Sequence, residues 1–151
     1  MKYVIARERV VDVLEEIKPI LLEHWAELSL YSDIPLDPEY DIYEVLDKKG
    51  LLALYTVRTT GVLVGYAVYF VRKHMHYRQH TWALSDIILV KKEHRNMGLG
   101  TSLFDMIEKD MKDYWKVDVL HTTTKILHPE LAYLLEARGH TKAEVGYSMR
   151  L

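Results

Sequence analysis

Apolar residues recur at three- and four-residue steps through Val10, Leu14, Ile17, Leu21, Trp25 and Leu28, the spacing of one face of an amphipathic helix. Pro19 falls inside that run. It lacks an N–H and its ring crowds the preceding turn, so a kink or a split into two helices is expected there. A short strand is predicted just before, over residues 3–6. Residues 31–40 carry Pro35 and Pro38 among Asp33, Asp37 and Glu39, which makes a loop with an acidic rim. Residues 41–49 predict a short helix closed by Gly50.

The pattern then changes. Residues 51–58 and 62–72 are rich in β-branched and aromatic side chains and are separated by Thr59-Thr60-Gly61, which predicts a β-hairpin. A third strand-like run covers residues 81–91. From Leu99 the helical period returns, with Leu99, Leu103, Met106, Ile107, Met111 and Tyr114 on one stripe. Residues 117–121 predict a short strand and residues 129–138 a helix, which Gly139 is placed to end. Two further strand-like runs, around Lys142 and over 145–151, complete the chain. The predicted order is β-α-α-β-β-β-α-β-α-β, an α+β (mixed α/β) architecture.

At 151 residues, a single domain spanning 1–151 is expected, large enough to bury a core without staples. The formal net charge of -2 and the scattered basic residues give no sign of a nucleic-acid surface. The absence of cysteine excludes disulfides, thiolate metal sites and a cysteine nucleophile. Residues 1–13 include Arg7, Glu8, Arg9 and Asp12 and have no apolar centre, unlike a secretory signal. No apolar run approaches the ~20 residues of a membrane helix. A cytoplasmic location is the expectation.

The segment most informative about chemistry is Asp86-Ile87-Ile88-Leu89-Val90-Lys91-Lys92-Glu93-His94-Arg95-Asn96-Met97-Gly98-Leu99-Gly100-Thr101. An apolar strand runs into a polar loop, then two glycines one residue apart, then an amphipathic helix. Glycine lets the backbone turn tightly and approach a ligand closely. The first amides of the helix have no intrahelical acceptor and lie at the positive end of its dipole. A pyrophosphate fits such a nest, and Arg95 adds a charge-assisted contact. The third glycine of a dinucleotide fingerprint is missing, and so is the Gly-Lys-Ser/Thr ending of a P-loop.

With Val90, Arg95, Gly98 and Gly100 in this order, the chain resembles the GNAT superfamily of N-acetyltransferases, whose acyl-CoA motif is Arg/Gln-x-x-Gly-x-Gly/Ala at a strand-to-helix junction. The order of elements is similar along nearly the whole chain. The resemblance implies a mixed, mostly antiparallel sheet flanked by helices, and acetyl-CoA as cosubstrate. It also implies transfer of acetyl to a primary amine, on a small molecule or on a protein lysine or N-terminus. Ile88, Leu89 and Val90 would offer backbone groups to the pantetheine arm. Arg95, Asn96, Met97, Gly98, Leu99, Gly100 and Thr101 would wrap the pyrophosphate. Dimers are common in that family, so a homodimer is compatible with it. The segments His24-Trp25-Ala26-Glu27, His76-Tyr77-Arg78 and 147–151 also look like small members encoded by phages and prophages.

The acid-base residues follow the family pattern less well. Counting back from Gly139-His140 puts Leu135 where many members have a tyrosine that protonates the leaving thiolate, and His128 where an asparagine would be. Tyr133, two residues earlier, is about 200° around a helix axis and should face elsewhere. His128 or bulk water would take that role. Asp86 stands where the family often has a glutamate that accepts the amine's proton through water. A carboxylate there would equally bind a substrate ammonium or satisfy a neighbouring backbone group. His76 is an alternative base, since imidazole titrates in the useful range. His74 and His76 would share a strand face, but no further ligands complete a metal site, and a solvated strand end or a substrate-facing turn is the expected reading. Asp33, Asp37, Glu39 and Asp41 would attract a cationic amine or simply form a wet loop. A non-catalytic acyl-CoA-binding or host-protein interaction module on the same fold is the alternative function.

Overall fold

A five-stranded sheet in the order β1-β2-β3-β4-β5 organises the computed structural model, which describes residues 1–151. The elements are β1 (Tyr3–Glu8), α1 (Val10–Leu28), α2 (Tyr40–Lys48), β2 (Leu52–Thr59), β3 (Val62–His74), β4 (Tyr77–Val90), a 3-10 turn (Lys92–His94), α3 (Leu99–Asp113), β5 (Val119–His121) and α4 (Glu130–Ala137). The β1-β2, β2-β3 and β3-β4 pairs are antiparallel, and β5 joins β4 in parallel.

Strands β2 and β3 are covered on both faces, which is why they read as nearly continuous apolar runs. Ala53, Tyr55, Val57, Ala67, Tyr69 and Val71 pack against Leu99, Leu103, Ile107 and Met111 of α3. Leu52, Leu54, Leu63, Tyr66 and Val68 pack against Val10, Val13, Leu14, Ile17 and Ile20 of α1. Leu89 and Ile87 of β4 join the α1 side.

Four local expectations give way to tertiary context. Helix α1 is not split in two at Pro19 but runs as one 19-residue element. Its aliphatic stripe is buried on both sides of the proline, at about 1.5–3 kcal/mol per side chain, which outweighs a proline cost of ~3 kcal/mol. Strand β4 begins at Tyr77 rather than near residue 81, because the long β3 gives its polar start a partner: His74 faces Tyr77. The segment after α4 contains no strand, contrary to the two runs expected there. Its alternating Val145, Tyr147 and Met149 are exposed. It is held instead by side chains, Tyr31 donating to Ser148 at 2.8 Å and Arg150 to Asp33 at 2.9 Å. A period-two pattern makes a strand only where an edge supplies both hydrogen bonds and a face to bury against. Tyr114, expected on the α3 stripe, caps that helix in solvent and packs its ring on the Arg7 guanidinium at 3.4 Å.

One polar contact ties α3 to the sheet. Asp110 accepts two bonds of 3.1 Å from Arg7 of β1 and one of 2.9 Å from the fully buried Tyr55 hydroxyl of β2. Burial and the Asp110 carboxylate push that phenol far above its ordinary value, so it stays a donor. Asp110→Ala should therefore leave a buried hydroxyl and a guanidinium without acceptors, at a cost of about 2–3 kcal/mol, read from denaturant unfolding.

A second expectation concerns acid. His24 is the one histidine in the buried stripe of α1, and burial pulls its imidazole down to about 4. The unfolded chain, with an ordinary imidazole, then binds more protons than the fold between pH 6.5 and 4. Stability is full above that window and falls as pH drops through it. The melting temperature should decline from pH 6.5 to 4.5, before most carboxylates titrate, and His24→Gln should flatten that slope.

Candidate active site

Strands β4 and β5 pair only at Trp82–Val119, Ala83–Leu120 and Leu84–His121. Ser85 still reaches across, its Oγ accepting from the Thr123 amide at 2.8 Å. Strand β4 then continues alone on that edge to Val90. The opening enters a cavity of about 1210 Å³ whose walls come from α1, the loop at Pro35–Pro38, α2, the start of α3 and α4.

A bulge in β4 shapes the acidic end. Val68 faces Ile87 and Tyr69 faces Ser85, so Asp86 has no partner on β3. Such an extra residue re-aims side chains. Ile87 packs into the α1-side core, and Asp86 turns to the same side, where the Tyr43 hydroxyl of α2 donates to it at 2.6 Å. Burial, reinforced by the Asp86 carboxylate, raises the Tyr43 phenol well above its usual value, so Tyr43 remains protonated and holds Asp86 in place.

The other end is positive. Lys91 closes the β3 pairing by donating to Val64 O at 2.8 Å, and the 3-10 turn follows. Asn96 (φ 61) and Gly98 (φ 74) then adopt left-handed backbone that reverses the chain into α3. No side chain caps α3 and its first turn holds no acidic residue, so its leading amides face outward with their dipole uncompensated. A Cβ at Gly98 would meet nothing within 4 Å, so the demand for glycine there is conformational. Gly100 differs: a Cβ would sit 3.0 Å from Leu134 Cδ2, so its smallness admits α4 against α3. Arg95 donates from Nε to Val90 O at 2.8 Å, and from Nη1 and Nη2 to the Glu27 carboxylate at 2.6 and 3.0 Å. An uncapped helix start beside Lys92 and Arg95, open to the cavity at Gly98, fits the phosphate groups of an acyl-CoA.

The cavity gathers Asp86, His128, Ile88, Leu89, Val90, Arg95, Asn96, Gly98, Leu99, Gly100 and Thr101. Met97 points away, its sulfur accepting from the Tyr3 hydroxyl at 3.1 Å. His76 also lies elsewhere, exposed in the β3-β4 turn, where its amide donates to His74 Nδ1. Nine strand residues separate that turn from Asp86, roughly 30 Å, so the structure does not bring His76 to the site. On α4, Leu135 is buried in the core, and Glu130, Leu131 and Leu134 face the cavity. Tyr133 is 66% exposed and no hydroxyl comes from this helix. Of the acidic loop residues Asp37 lines the cavity, whereas Asp33 is paired with Arg150. Tyr43, which as an aromatic reads from sequence only as core or pocket wall, lines the cavity together with His24 and Glu27. The only signal for the last two was the looser resemblance around them.

The family model described as Acetyltransferase (GNAT) family matches residues 12–138. No curated protein matches the chain. Among solved structures, a ribosomal-protein-alanine N-acetyltransferase from Brucella melitensis biovar Abortus 2308 superposes with a TM-score of 0.73 at 19% identity, covering 99% of both chains. The aminoglycoside acetyltransferase HMB0005 from an uncultured soil metagenomic sample gives 0.77 at 14% identity, covering 100% of this chain and 99% of that one. A predicted acetyltransferase with acetyl-CoA from Clostridium acetobutylicum gives 0.73 at 8% identity, covering 99% and 96%. At such identities these structures speak for the fold alone. With the family model spanning most of the chain, and the strand, arginine, glycines and helix assembled around one cavity, this protein belongs to the GNAT acetyltransferase family.

Proposed function

We propose that this protein transfers an acetyl group from acetyl-CoA to a primary amine by direct attack. The observation that carries the proposal is one cavity with two chemically opposite ends, the uncapped α3 N-terminus with Arg95 at one and Asp86 at the other. Acetyl-CoA supplies an activated thioester. The amine nitrogen forms the new C–N bond, the C–S bond breaks, and the nitrogen loses a proton as the thiolate gains one. The chain's residues have three tasks in this. The α3 amides, Lys92 and Arg95 hold phosphate. The β4 edge beyond Leu84 offers backbone donors and acceptors for alignment. Asp86, held by Tyr43, receives the amine as its ammonium or takes its proton through water. Asp37 adds negative charge on the acceptor side. The acceptor is an amine on a small molecule or a protein, and relatives of both kinds share the fold.

A second reading, a non-catalytic coenzyme-binding module, is favoured by one feature: α4 presents leucines to the cavity where a proton donor would serve the leaving thiolate. His128, which lines the cavity, and solvent are candidate proton sources. Turnover of acetyl-CoA against a panel of amines and peptides separates the two readings. Tyr133→Phe should leave that turnover within a few-fold of the parent, since its ring faces solvent.

Gly98→Asp should abolish acetyl-CoA binding while the protein stays folded. The side chain puts negative charge beside the phosphates and strain on a left-handed residue. Calorimetric titration with melting curves measures this, and parent-like affinity in the folded variant would rule out the site.

Asp86→Asn keeps the shape and still accepts from Tyr43, but removes the basic site. With Asp86 as proton acceptor, turnover should fall roughly 100-fold or more at nearly constant acetyl-CoA affinity. The loss should shrink as pH rises and more amine is already neutral. If Asp86 only anchors a cationic substrate, the change should appear in KM and should not be recovered at high pH. Full activity across the pH series would remove Asp86 from the mechanism.

A further inference from the structure

Arg95 is the only guanidinium lining the cavity, and its outward fork is already engaged. The Glu27 carboxylate, on the last turn of α1, takes Nη1 and Nη2 in a bidentate pair at 2.6 and 3.0 Å. That is the geometry in which arginine grips a phosphate. The Arg95 hydrogen bonds hold the Glu27 carboxyl below the usual range, so it is ionised at neutral pH. A phosphate arriving at this fork meets a negative charge on the same donors, and the two repel.

One turn back on α1 lies His24. Its side chain is only 6% exposed and lines the cavity, and neither ring nitrogen has a hydrogen-bond partner. Nδ1 is 3.9 Å from Glu27 Oε2, too far for a hydrogen bond but within a side-chain rotation of one. The charges around it are Glu27 on its own helix, Arg95 from the glycine loop and His128 from the segment before α4. Glu93 and Glu130 act further out, on Arg95. Burial keeps the imidazole neutral at pH 7, so it has one N–H with no acceptor. A buried donor left without an acceptor is costly, and the Glu27 carboxylate is an acceptor 3.9 Å away.

We propose that Glu27 is a built-in competitor for the coenzyme's pyrophosphate at Arg95, and that His24 is the donor to which the displaced carboxylate turns. Coenzyme affinity is then set by three residues, one gripping the anion, one opposing it and one receiving the opponent. This rests on the reading of Arg95 as a phosphate ligand, and the experiment separates the two.

Coenzyme A is titrated calorimetrically at pH 7 into the parent, Arg95→Gln, Glu27→Gln, His24→Leu and the Glu27→Gln/His24→Leu double variant, with melting curves beside each. Arg95→Gln should weaken binding tenfold or more, and Glu27→Gln should tighten it by roughly tenfold, because the competing charge is gone. His24→Leu should weaken binding several-fold in the parent and leave affinity unchanged in the Glu27→Gln background. A gain in affinity is not a symptom of a damaged fold, so the Glu27→Gln result stands even in a less stable variant. If Arg95→Gln has no effect, the reading of Arg95 fails. If Arg95→Gln weakens binding but Glu27→Gln does not tighten it, Glu27 orients Arg95 and the inference is overturned. Equal weakening by His24→Leu in both backgrounds would overturn the role given to His24.

Discussion

Strand β4 has neighbours on both edges for only part of its length. Past Leu84 its antiparallel partner β3 continues while β5 ends at His121, and the two strands separate around Ser85 and Thr123. Backbone N–H and C=O groups inside a protein need partners, so an edge released beneath α1 and α4 is a demand the fold leaves open on purpose-built ground. The cavity exists because of that separation, and its walls are the elements that pack on either side of it. Asp86, the glycine loop and the start of α3 all lie on or just after the released stretch, while Tyr43, Asp37 and His128 reach the cavity from other elements.

The two glycines of the motif look equivalent in the sequence and have different physical roles. Gly98 carries a left-handed backbone that turns the loop into the helix, with open space where a side chain would be. Gly100 has ordinary helical backbone but stands against Leu134, where a methyl group would press on α4. The first governs how the helix amides are aimed, the second how closely α4 approaches them. Both elements line the cavity, α3 with its first turn and α4 with Glu130, Leu131 and Leu134.

Charge is sorted along the cavity. Lys92, Arg95 and the α3 dipole stand at one end and Asp86 at the other, with Asp37 also on the wall. An anion and a cation are therefore drawn to different places in one space, the arrangement that a reaction between a phosphorylated coenzyme and a protonated amine requires. Glu27 and Glu130 are exceptions, cavity carboxylates that act on Arg95, and the bidentate grip of Glu27 makes that end weaker than its composition suggests.

Element type and order up to α4 were legible in the sequence because periodicity is local: a 3.6-residue stripe buries one helix face whatever lies opposite. The strand-turn-helix passage was legible for the same reason, since Val90, Arg95, Gly98 and Gly100 sit within one local run whose spacing sets its geometry. What lay opposite was not legible. Pro19 stays inside one helix because the sheet pins both sides of it, and the alternating tail at Val145, Tyr147 and Met149 forms no strand because no edge receives it. Tyr43 reaches Asp86 across 43 residues and Glu27 reaches Arg95 across 68, pairings that no local pattern encodes. His76 and Met97 show the converse, near the motif in sequence type or position and turned away from the cavity in space. Sequence determined where the backbone could turn and which faces had to be buried; only the tertiary structure decided which side chains met across the cavity, because such contacts depend on the packing of whole elements rather than on spacing within one.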